Sequence, residues 1–323
     1  MKCEIVKLFF KSPLHLGEKE GMMEDSNFII HSDTLFSGLC YAYRTLYGKD
    51  ALETLLEQFK NSPPFLLSSA FPFYKGCLLF PIPLNFRPPE EDVKSYKKLQ
   101  LIPKELWEKV CSDKALRKDG YEFVQDKKVF LPKNWVRILS EREKEYPIWE
   151  EREIQRVSLD SITSSSNLFN FREVVFKKDS GLFFLLDWRN TSFANRIKAA
   201  IRLLGEEGIG GDRGSGKGVF NPEFGELEIS DLKGDDYLLL SLFFPSKAEI
   251  QGFDGIYNFK MRGGFVYSFD NTTRRKKYVR MLTEGSVIKG ERPLGSLENI
   301  TPDGFTEHNV YRYGYAFSML IGG

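Results

Sequence analysis

Eleven residues near the middle of the chain have the composition of an anion-binding loop. Six of the residues from 208 to 218 are glycine, and two cations lie among them. Glycine lets backbone N–H groups approach a negatively charged ligand closely, and the cations can pair with phosphate. The residues that we predict to contribute are Gly208, Gly210, Gly211, Arg213, Gly214, Ser215, Gly216, Lys217 and Gly218.

The loop is only partly similar to a nucleotide-binding P-loop. Gly211, Gly216 and Lys217 fit the G-x-x-x-x-G-K spacing, but Gly218 stands where that motif needs Ser or Thr to hold Mg²⁺. The loop also follows a predicted helix and precedes a predicted strand, which is the reverse of a P-loop. The pattern therefore favours contact with a nucleic-acid backbone over NTP hydrolysis, and a flexible connector is the remaining alternative.

Two further stretches contain basic residues that could contact nucleic acid. Residues 274–280 contain five cations and no acid, so we predict that Arg274 and Arg275 contact nucleic acid. A solvated hairpin tip explains the same run about equally well. Arg156 and Arg172, which we also predict to contact nucleic acid, flank the polar run 161–167, and an ordinary disordered loop would explain that run.

The overall composition limits the classes of protein. Lys and Arg total 46 against 45 Asp and Glu, and 41% of the residues are hydrophobic, which excludes global disorder. The acids are concentrated at 90–92 and 141–153, away from the basic stretches. This distribution favours a nucleic-acid binder that works inside a complex over one that binds alone.

Neither a signal peptide nor an apolar run of the ~20 residues needed to cross a bilayer is evident in the sequence. The four cysteines form no CxxC pair, which argues against a zinc knuckle and a disulfide framework. We expect them to be buried in a protein of the reducing cytosol, with no metal, no cofactor and no membrane partner.

The periodicity predicts an α+β fold. Strands over 2–11, 65–74, 77–84, 153–159, 171–188 and 219–229 surround a helix at 35–47, a short helix at 52–59, and a helix through Ile197, Ala200, Ile201 and Leu204. Their order is that of a ferredoxin-like domain, predicted for residues 1–234, with a Lys/Glu/Pro-rich insertion at about 86–151 that is partly helical at 104–110. A smaller ferredoxin-like domain is predicted at 235–323, with strands at 237–244, 265–269, 278–289 and 309–321.

Three motifs resemble one family. The loop pattern Gly-x-Gly-Gly-x-Arg-x-x-Gly-x-Gly resembles the RAMP proteins of CRISPR systems, whose domains are RRM-like. The segment 31–39 is similar to the first-helix signature of the fourth Csm subunit, a Cas-five-like protein of type III-A effectors. Residues 263–264, 284–287 and 310–314 resemble the C-terminal half of that subunit. The likeness covers both halves and leaves out only the insertion.

The resemblance implies a non-cleaving subunit that holds the repeat-derived 5′ handle of the CRISPR RNA. Its implied protein partners are the large polymerase-type (Cas-ten-like) subunit and the Csm backbone subunit. It also implies that the run 161–167 is a hairpin that wedges against the guide. Arginine suits this task because its planar group both pairs with phosphate and stacks on bases.

An RNA-cleaving enzyme is the alternative, because some relatives in the superfamily use a general base against a 2′-hydroxyl. His15 is the one serious candidate for that base, since it follows the first strand, although it can equally bond RNA or backbone. Ser32 or Asp33 is expected only to cap the following helix. No paired carboxylates or metal ligands accompany them, so no catalytic residue is predicted.

Overall fold

The computed structural model describes residues 1–16, 28–90, 93–116, 118–159, 166–230, 232, 234–266 and 274–322. The helices are α1 (Ser32–Asn61), α2 (Val93–Tyr96), α3 (Lys104–Asp113), α4 (Lys133–Val136), α5 (Glu141–Glu145), α6 (Ala194–Glu207) and α7 (Lys247–Ile250), with 3₁₀ turns at Thr191–Phe193 and Arg213–Ser215. The strands are β1 (Lys2–Phe10), β2 (Phe65–Leu67), β3 (Phe71–Tyr74), β4 (Cys77–Pro81), β5 (Leu101–Pro103), β6 (Tyr121–Val124), β7 (Val129–Pro132), β8 (Trp149–Leu159), β9 (Ser166–Phe176), β10 (Ser180–Trp188), β11 (Phe220–Glu228), β12 (Asp236–Leu239), β13 (Asp254–Ile256), β14 (Phe259–Arg262), β15 (Val279–Leu282), β16 (Val287–Lys289), β17 (Leu297–Asn299), β18 (Tyr311–Tyr313) and β19 (Ser318–Ile321).

A large mixed sheet forms the centre of the first half. Its order is β11-β1-β10-β3-β4-β5-β7-β6, and β2 also pairs with β10. The strand predicted over 2–11 is confirmed as β1, which buries Val6 and Leu8 on one face and pairs antiparallel with both β10 and β11. Helices α1 and α6 pack together where Gly38 admits Leu204, whose Cδ1 would lie 3.2 Å from a Cβ at that glycine.

A second sheet with the order β13-β16-β12-β19 lies in the C-terminal half, and its neighbouring strands are antiparallel. Numbered along the chain, these four strands run 2-3-1-4 across the sheet. The strands β3, β10, β1 and β11 of the first half have the same arrangement. The helical content differs, since α7, with four residues, is the only α-helix in the described part of 235–322.

Helix α1 is bent where the sequence predicts an end. Gly48 has φ 83° and ψ 176°, which interrupts the helix between its two apolar stretches. The second stretch buries Leu55 and Phe59 as expected. The capping prediction is wrong: His31 is the N-cap residue, and the hydroxyl of Ser69 accepts from the backbone N–H of Ser32 at 2.9 Å. Ser32 instead accepts a hydrogen bond from the backbone N–H of Leu242, at 3.1 Å.

The predicted strand at 171–188 is two strands. Strand β9 ends at Phe176 and β10 begins at Ser180, because a polar turn with Asp179 at φ 60° separates them. Strands β8 and β9, with eleven residues each, form an antiparallel hairpin that pairs Trp149 with Phe176 and Leu159 with Ser166. Most of the predicted guide-wedging hairpin at 161–167 lies outside the described residues.

Residues 86–151 extend the large sheet. They contribute β5, β6 and β7, and the helix predicted at 104–110 is confirmed as α3. Trp107 of α3 is buried, stacks on Phe80 at 4.5 Å and donates to the carbonyl of Pro81 at 3.0 Å. This segment therefore packs on the sheet instead of forming a separate body.

Three C-terminal strands are shorter than predicted. The run 237–244 contributes β12 alone, while 278–289 and 309–321 each divide into two strands. Gly285, at φ 85°, turns the chain between β15 and β16. Of the strand predicted at 265–269, residues 267–269 lie outside the described part, and Phe265 forms an isolated bridge with Arg275.

The two halves share one hydrophobic core. Phe36 and Phe59 of α1 pack against Tyr313 with ring centroids 5.0 and 6.2 Å apart, and Phe59 also meets Tyr315 at 6.1 Å. The hydroxyl of Tyr313 accepts a hydrogen bond from the backbone N–H of Leu67 at 2.8 Å. Among the described residues, no helix combines the length and hydrophobicity that a membrane span requires.

Candidate nucleic-acid interface

A groove of about 690 Å³ runs between α1, the glycine-rich loop and the C-terminal half. Basic side chains outnumber carboxylates among the described residues that line it. The basic residues are Arg44, Lys49, Lys60, Arg213, Arg262, Lys276 and Arg312, and the acidic residues are Asp33, Glu53 and Glu57. A groove with this charge attracts an anionic ligand.

Backbone hydrogen bonds hold the glycine-rich loop against the residues that follow β1. The N–H of Gly218 donates to the carbonyl of Pro13 at 2.9 Å, and the N–H of Gly211 donates to that of His15 at 2.8 Å. Within the loop, the N–H of Ile209 donates to the carbonyl of Gly218 at 3.0 Å. These bonds close the loop at its base and leave the turn Arg213–Ser215 at its far end.

His15 packs under the loop. Its ring stacks on Phe171 with centroids 4.0 Å apart, and its Nδ1 lies 2.6 Å from the carbonyl oxygen of Arg172. A carbonyl only accepts, so Nδ1 is assigned the proton. A Cβ at Gly211 would lie 2.8 Å from Cδ2 of the same ring. The structure thus brings His15, Arg172 and the loop glycines together.

The two loop cations have different surroundings. Lys217 forms an ion pair with Glu173 of β9, and only 15% and 4% of these side chains are exposed. The guanidinium group of Arg213 instead lies over the ring of Tyr41 in α1, 4.9 Å from its centroid, and lines the groove. Lys217 therefore ties the loop to β9, while Arg213 faces the ligand-accessible side.

Asp33 is buried at the start of α1 and binds two arginines of the C-terminal half. Nε of Arg262 donates to Oδ2 at 2.8 Å and Nη2 donates to Oδ1 at 2.7 Å, while Arg312 donates to Oδ2 through Nη1. Burial alone would raise the pKa of this carboxyl, but the two guanidinium groups outweigh it and hold the pKa far below its usual range. Asp33 joins the halves of the chain.

Lys276 lies beside this cluster and lines the same groove. The pKa of its ammonium group is lowered to about 8, chiefly by burial and also by the nearby charges of Arg312 and Arg262, against the opposing effect of Asp33. The ammonium group makes no ion pair with any residue that the structure describes.

A second contact joins the first-helix motif to the C-terminal motif. Nδ1 of His31 donates to Glu284 at 2.8 Å, and Nζ of Lys260 donates to Nε2 of the same ring at 3.3 Å. Glu284 also accepts from the hydroxyl of Ser69. Burial would raise the pKa of the Glu284 carboxyl, but His31 and these hydrogen bonds lower it.

Other predicted residues lie elsewhere. Arg274 and Arg275 are exposed and line a second, shallow groove with Lys277 and Asp303, and Lys276 lines both grooves. The guanidinium group of Arg275 lies 5.5 Å from the ring centroid of Phe265. The side chain of Arg156 lies outside the described part of the chain. Within that part, no cluster of three or more His, Cys, Asp or Glu residues could hold a metal ion.

Arg262 and Arg312 line the groove, although neither is among the site residues predicted from the sequence. A usable signal was present at Arg312, which stands between two tyrosines in a run predicted to be a strand. A charged residue within a buried strand needs a counter-charge nearby, and Arg312 is only 6% exposed. Asp33 supplies it, although the two residues are 279 positions apart.

Two family models match the chain. The RAMP superfamily model matches residues 7–221, and the model of the CRISPR Csm4 C-terminal domain matches residues 232–321. The first match ends inside β11, and the second begins between β11 and β12.

Two curated relatives match nearly the whole chain. The CRISPR system Cms protein Csm4 of Thermococcus onnurineus (strain NA1) is 30% identical over 294 residues, which cover 91% of this chain and 92% of the relative. The protein of the same name from Methanocaldococcus jannaschii is 26% identical over 349 residues, covering 94% and 89%.

Solved structures share the fold at lower identity. Csm4 in the Csm3–Csm4 subcomplex of the type III-A CRISPR-Cas interference complex has a TM-score of 0.70, 21% identity and 100% coverage of both chains. A chain of the Csm1–Csm4 cassette in complex with cA4 has a TM-score of 0.63 and 20% identity, with 99% and 98% of the two chains covered.

Proposed function

Since the chain belongs to the Csm4 family of the RAMP superfamily, we propose that it is the CRISPR RNA-binding subunit of a type III-A effector complex in antiviral defence. In this role it holds the repeat-derived 5′ handle of the guide RNA. The glycine-rich loop, residues 208–218, together with His15 and Arg172, forms one wall of the RNA path.

One observation carries this proposal: Arg213 of the loop and Arg312 of the C-terminal half line a single groove with an excess of basic side chains. Single-stranded RNA is bound by cations that contact phosphates and by planar groups that stack on bases. Arg213 lies over Tyr41, so a cation and an aromatic ring stand together at the groove wall.

The proposed domain organisation follows from the strand orders. Four adjacent strands of the first sheet and all four of the second have the order expected of a ferredoxin-like domain, which supports an RRM-like RAMP domain at 1–234 and a smaller ferredoxin-like domain at 235–323. The segment at about 86–151 is then an insertion that lengthens the first sheet. Tyr313 packs on α1, so the two domains fold as one unit.

The proposed partners are the large polymerase-type (Cas-ten-like) subunit and the Csm backbone subunit. Structures of relatives with the same fold are named as assemblies with Csm1 and with Csm3, which supports this assignment. The subunit works in the cytoplasm, where guide RNA and both partners are made. It links the large subunit to the backbone.

The proposed role is non-catalytic. His15 has its Nδ1 bound to a backbone carbonyl and its ring held between Phe171 and Gly211. These contacts support a positioning role for His15 under the loop. The RNA-processing alternative would need His15 to act as a general base.

A binding titration tests the loop assignment. Arg213→Ala is expected to weaken binding of handle-containing RNA by the full chain, and to reduce the slope of log K against log salt by roughly 0.7, the value for one single-strand phosphate contact. Arg202→Ala is the matched control, because Arg202 lies over Phe224 at 4.9 Å and does not line the groove. Equal affinity of both variants would overturn the assignment.

Co-purification tests the wider role. The tagged chain, expressed with its neighbours, is expected to carry RNA whose 5′ end derives from the repeat, together with a polymerase-type subunit. If the partners are recovered without such RNA, the chain binds proteins only and the RNA-binding role is wrong.

A further inference from the structure

Basic side chains outnumber carboxylates among the described residues at the floor of the groove. Arg262, Arg312 and Lys276 surround Asp33, the one carboxylate among the described groups of this cluster. The side chains of Arg262 and Arg312 are 16% and 7% exposed. Charges held away from water interact more strongly than those on the surface, so one further anion would be bound tightly here.

The arginine at the centre of the cluster is not fully satisfied. Arg312 uses Nη1 on Asp33 and Nη2 on the carbonyl of Gly263, at 2.8 Å. Its Nε is buried and has no hydrogen-bond partner among the described residues. An unpaired N–H on a buried guanidinium group is costly unless a ligand accepts from it.

We propose that Arg262, Arg312 and Lys276 form a phosphate site in the floor of the groove, and that it takes one phosphate group of a ribonucleotide. This inference rests on the proposed function for its ligand, since the RNA strand held by the glycine-rich loop supplies the phosphate. Asp33 is a positioning residue in this site because it holds both guanidinium groups in place.

The size and continuity of the groove support this ligand. Its volume of about 690 Å³ lies within the roughly 300–1,000 Å³ of small-molecule sites. Arg213 lines the same groove, so a strand contacting the loop can place a neighbouring phosphate at the floor. A phosphate also accepts several hydrogen bonds at once, which suits a guanidinium and an ammonium group on the same anion.

Lys276 allows the site to be tested without disturbing the buried ion pair. It makes no ion pair with Asp33, so Lys276→Gln leaves that carboxylate bound to both arginines. The adjacent Lys277 is the matched control, because it pairs with Asp303 at 2.7 Å and does not line the large groove. Lys277→Gln removes the same charge from the next position.

The experiment scans the handle RNA with single methylphosphonate linkages, which remove one phosphate charge at a time. The full chain and Lys277→Gln are expected to bind the RNA roughly tenfold more weakly when one particular linkage is replaced, because that replacement removes a charge-assisted hydrogen bond. Lys276→Gln should bind all RNAs more weakly and be insensitive at that linkage. If Lys276→Gln and Lys277→Gln respond alike at every linkage, the site is overturned, whereas the proposed function still stands if Arg213→Ala weakens binding.

Titration with inorganic phosphate and with AMP distinguishes a free ligand from the RNA strand. Binding of either by the full chain, lost in Lys276→Gln and kept in Lys277→Gln, supports the site even if handle RNA does not bind, in which case the proposed function fails alone. Absence of RNA, phosphate and AMP binding overturns both.

Discussion

The ammonium group of Lys217 is paired with the carboxylate of Glu173, which joins the glycine-rich loop to strand β9. Glu173 is 4% exposed at its side chain, so the pair is shielded from water. The loop therefore depends on the β8–β9 hairpin for its position. Of its two cations, Lys217 is used for structure and Arg213 lies on the groove.

Lys217→Ala is expected to destabilise the chain because it leaves the buried carboxylate of Glu173 without its partner. The expected loss is about 1–3 kcal/mol of unfolding free energy, measured by urea denaturation. The double variant Lys217→Met with Glu173→Gln should recover part of that loss, since it removes both charges. If Lys217→Ala is as stable as the double variant, leaving the Glu173 carboxylate without its partner costs no stability.

The local elements could be predicted because their signals lie within short stretches. The spacing of Ile197, Ala200 and Leu204 predicts α6, and Gly48 marks the bend in α1. The strands predicted in the C-terminal half are too long. A turn such as the one at Gly285 has apolar residues before and after it, so the sequence reads as one continuous strand.

The site was only half predictable, for a physical reason. A glycine-rich loop is contiguous, so its composition indicates an anion site. The Asp33–Arg312 pair joins positions 279 residues apart, and nothing local marks either residue as the partner of the other. The sequence favours a helix cap at Ser32 or Asp33, because short polar residues at the start of a helix usually accept hydrogen bonds from its first N–H groups.

Asp33→Asn is expected to lower stability at neutral pH by about 3–5 kcal/mol, because it leaves two buried guanidinium groups without a counter-charge. The difference should shrink in acid. The pKa of Asp33 is lowered in the folded chain, so its contribution is present above the unfolded value of about 3.9 and is lost as the pH falls below it. Unfolding curves at pH 7 and pH 3 test this, and a constant difference would contradict it.

RNA affinity is expected to fall as the pH rises from 7 to 9. The pKa of Lys276 is lowered to about 8, and a bound phosphate favours its protonated form. Loss of that proton weakens binding by at most about tenfold per pH unit above 8. Lys276→Arg keeps its charge throughout this range, so its affinity should be flat, and an unchanged pH dependence in that variant would exclude Lys276 as the titrating group.

Purified chain is expected to leave repeat RNA intact. His15→Phe keeps a ring that can stack on Phe171 and removes both ring nitrogens, so it separates packing from proton transfer. The variant should match the unmodified chain in a gel assay of RNA length over several hours. Cutting by the unmodified chain that disappears in His15→Phe would favour the nuclease alternative.

Gly218→Ala should disable the loop while leaving every cation in place. Gly218 has φ 71°, and a Cβ there would lie 2.0 Å from the carbonyl oxygen of Ile209. The substitution would therefore force apart the backbone bonds that close the loop, at a cost of about 1–3 kcal/mol for the strained backbone alone. RNA affinity should fall with stability.

Gly214→Ala is the matched control within the same loop, because no heavy atom lies within 4 Å of the position of its Cβ. It should retain the unfolding free energy of the unmodified chain and bind handle RNA more tightly than Gly218→Ala. This contrast separates loop shape from loop charge, since neither variant removes a cation. If Gly218→Ala binds handle RNA as tightly as Gly214→Ala, the closed shape of the loop is not required, and Arg213 would act from a flexible segment.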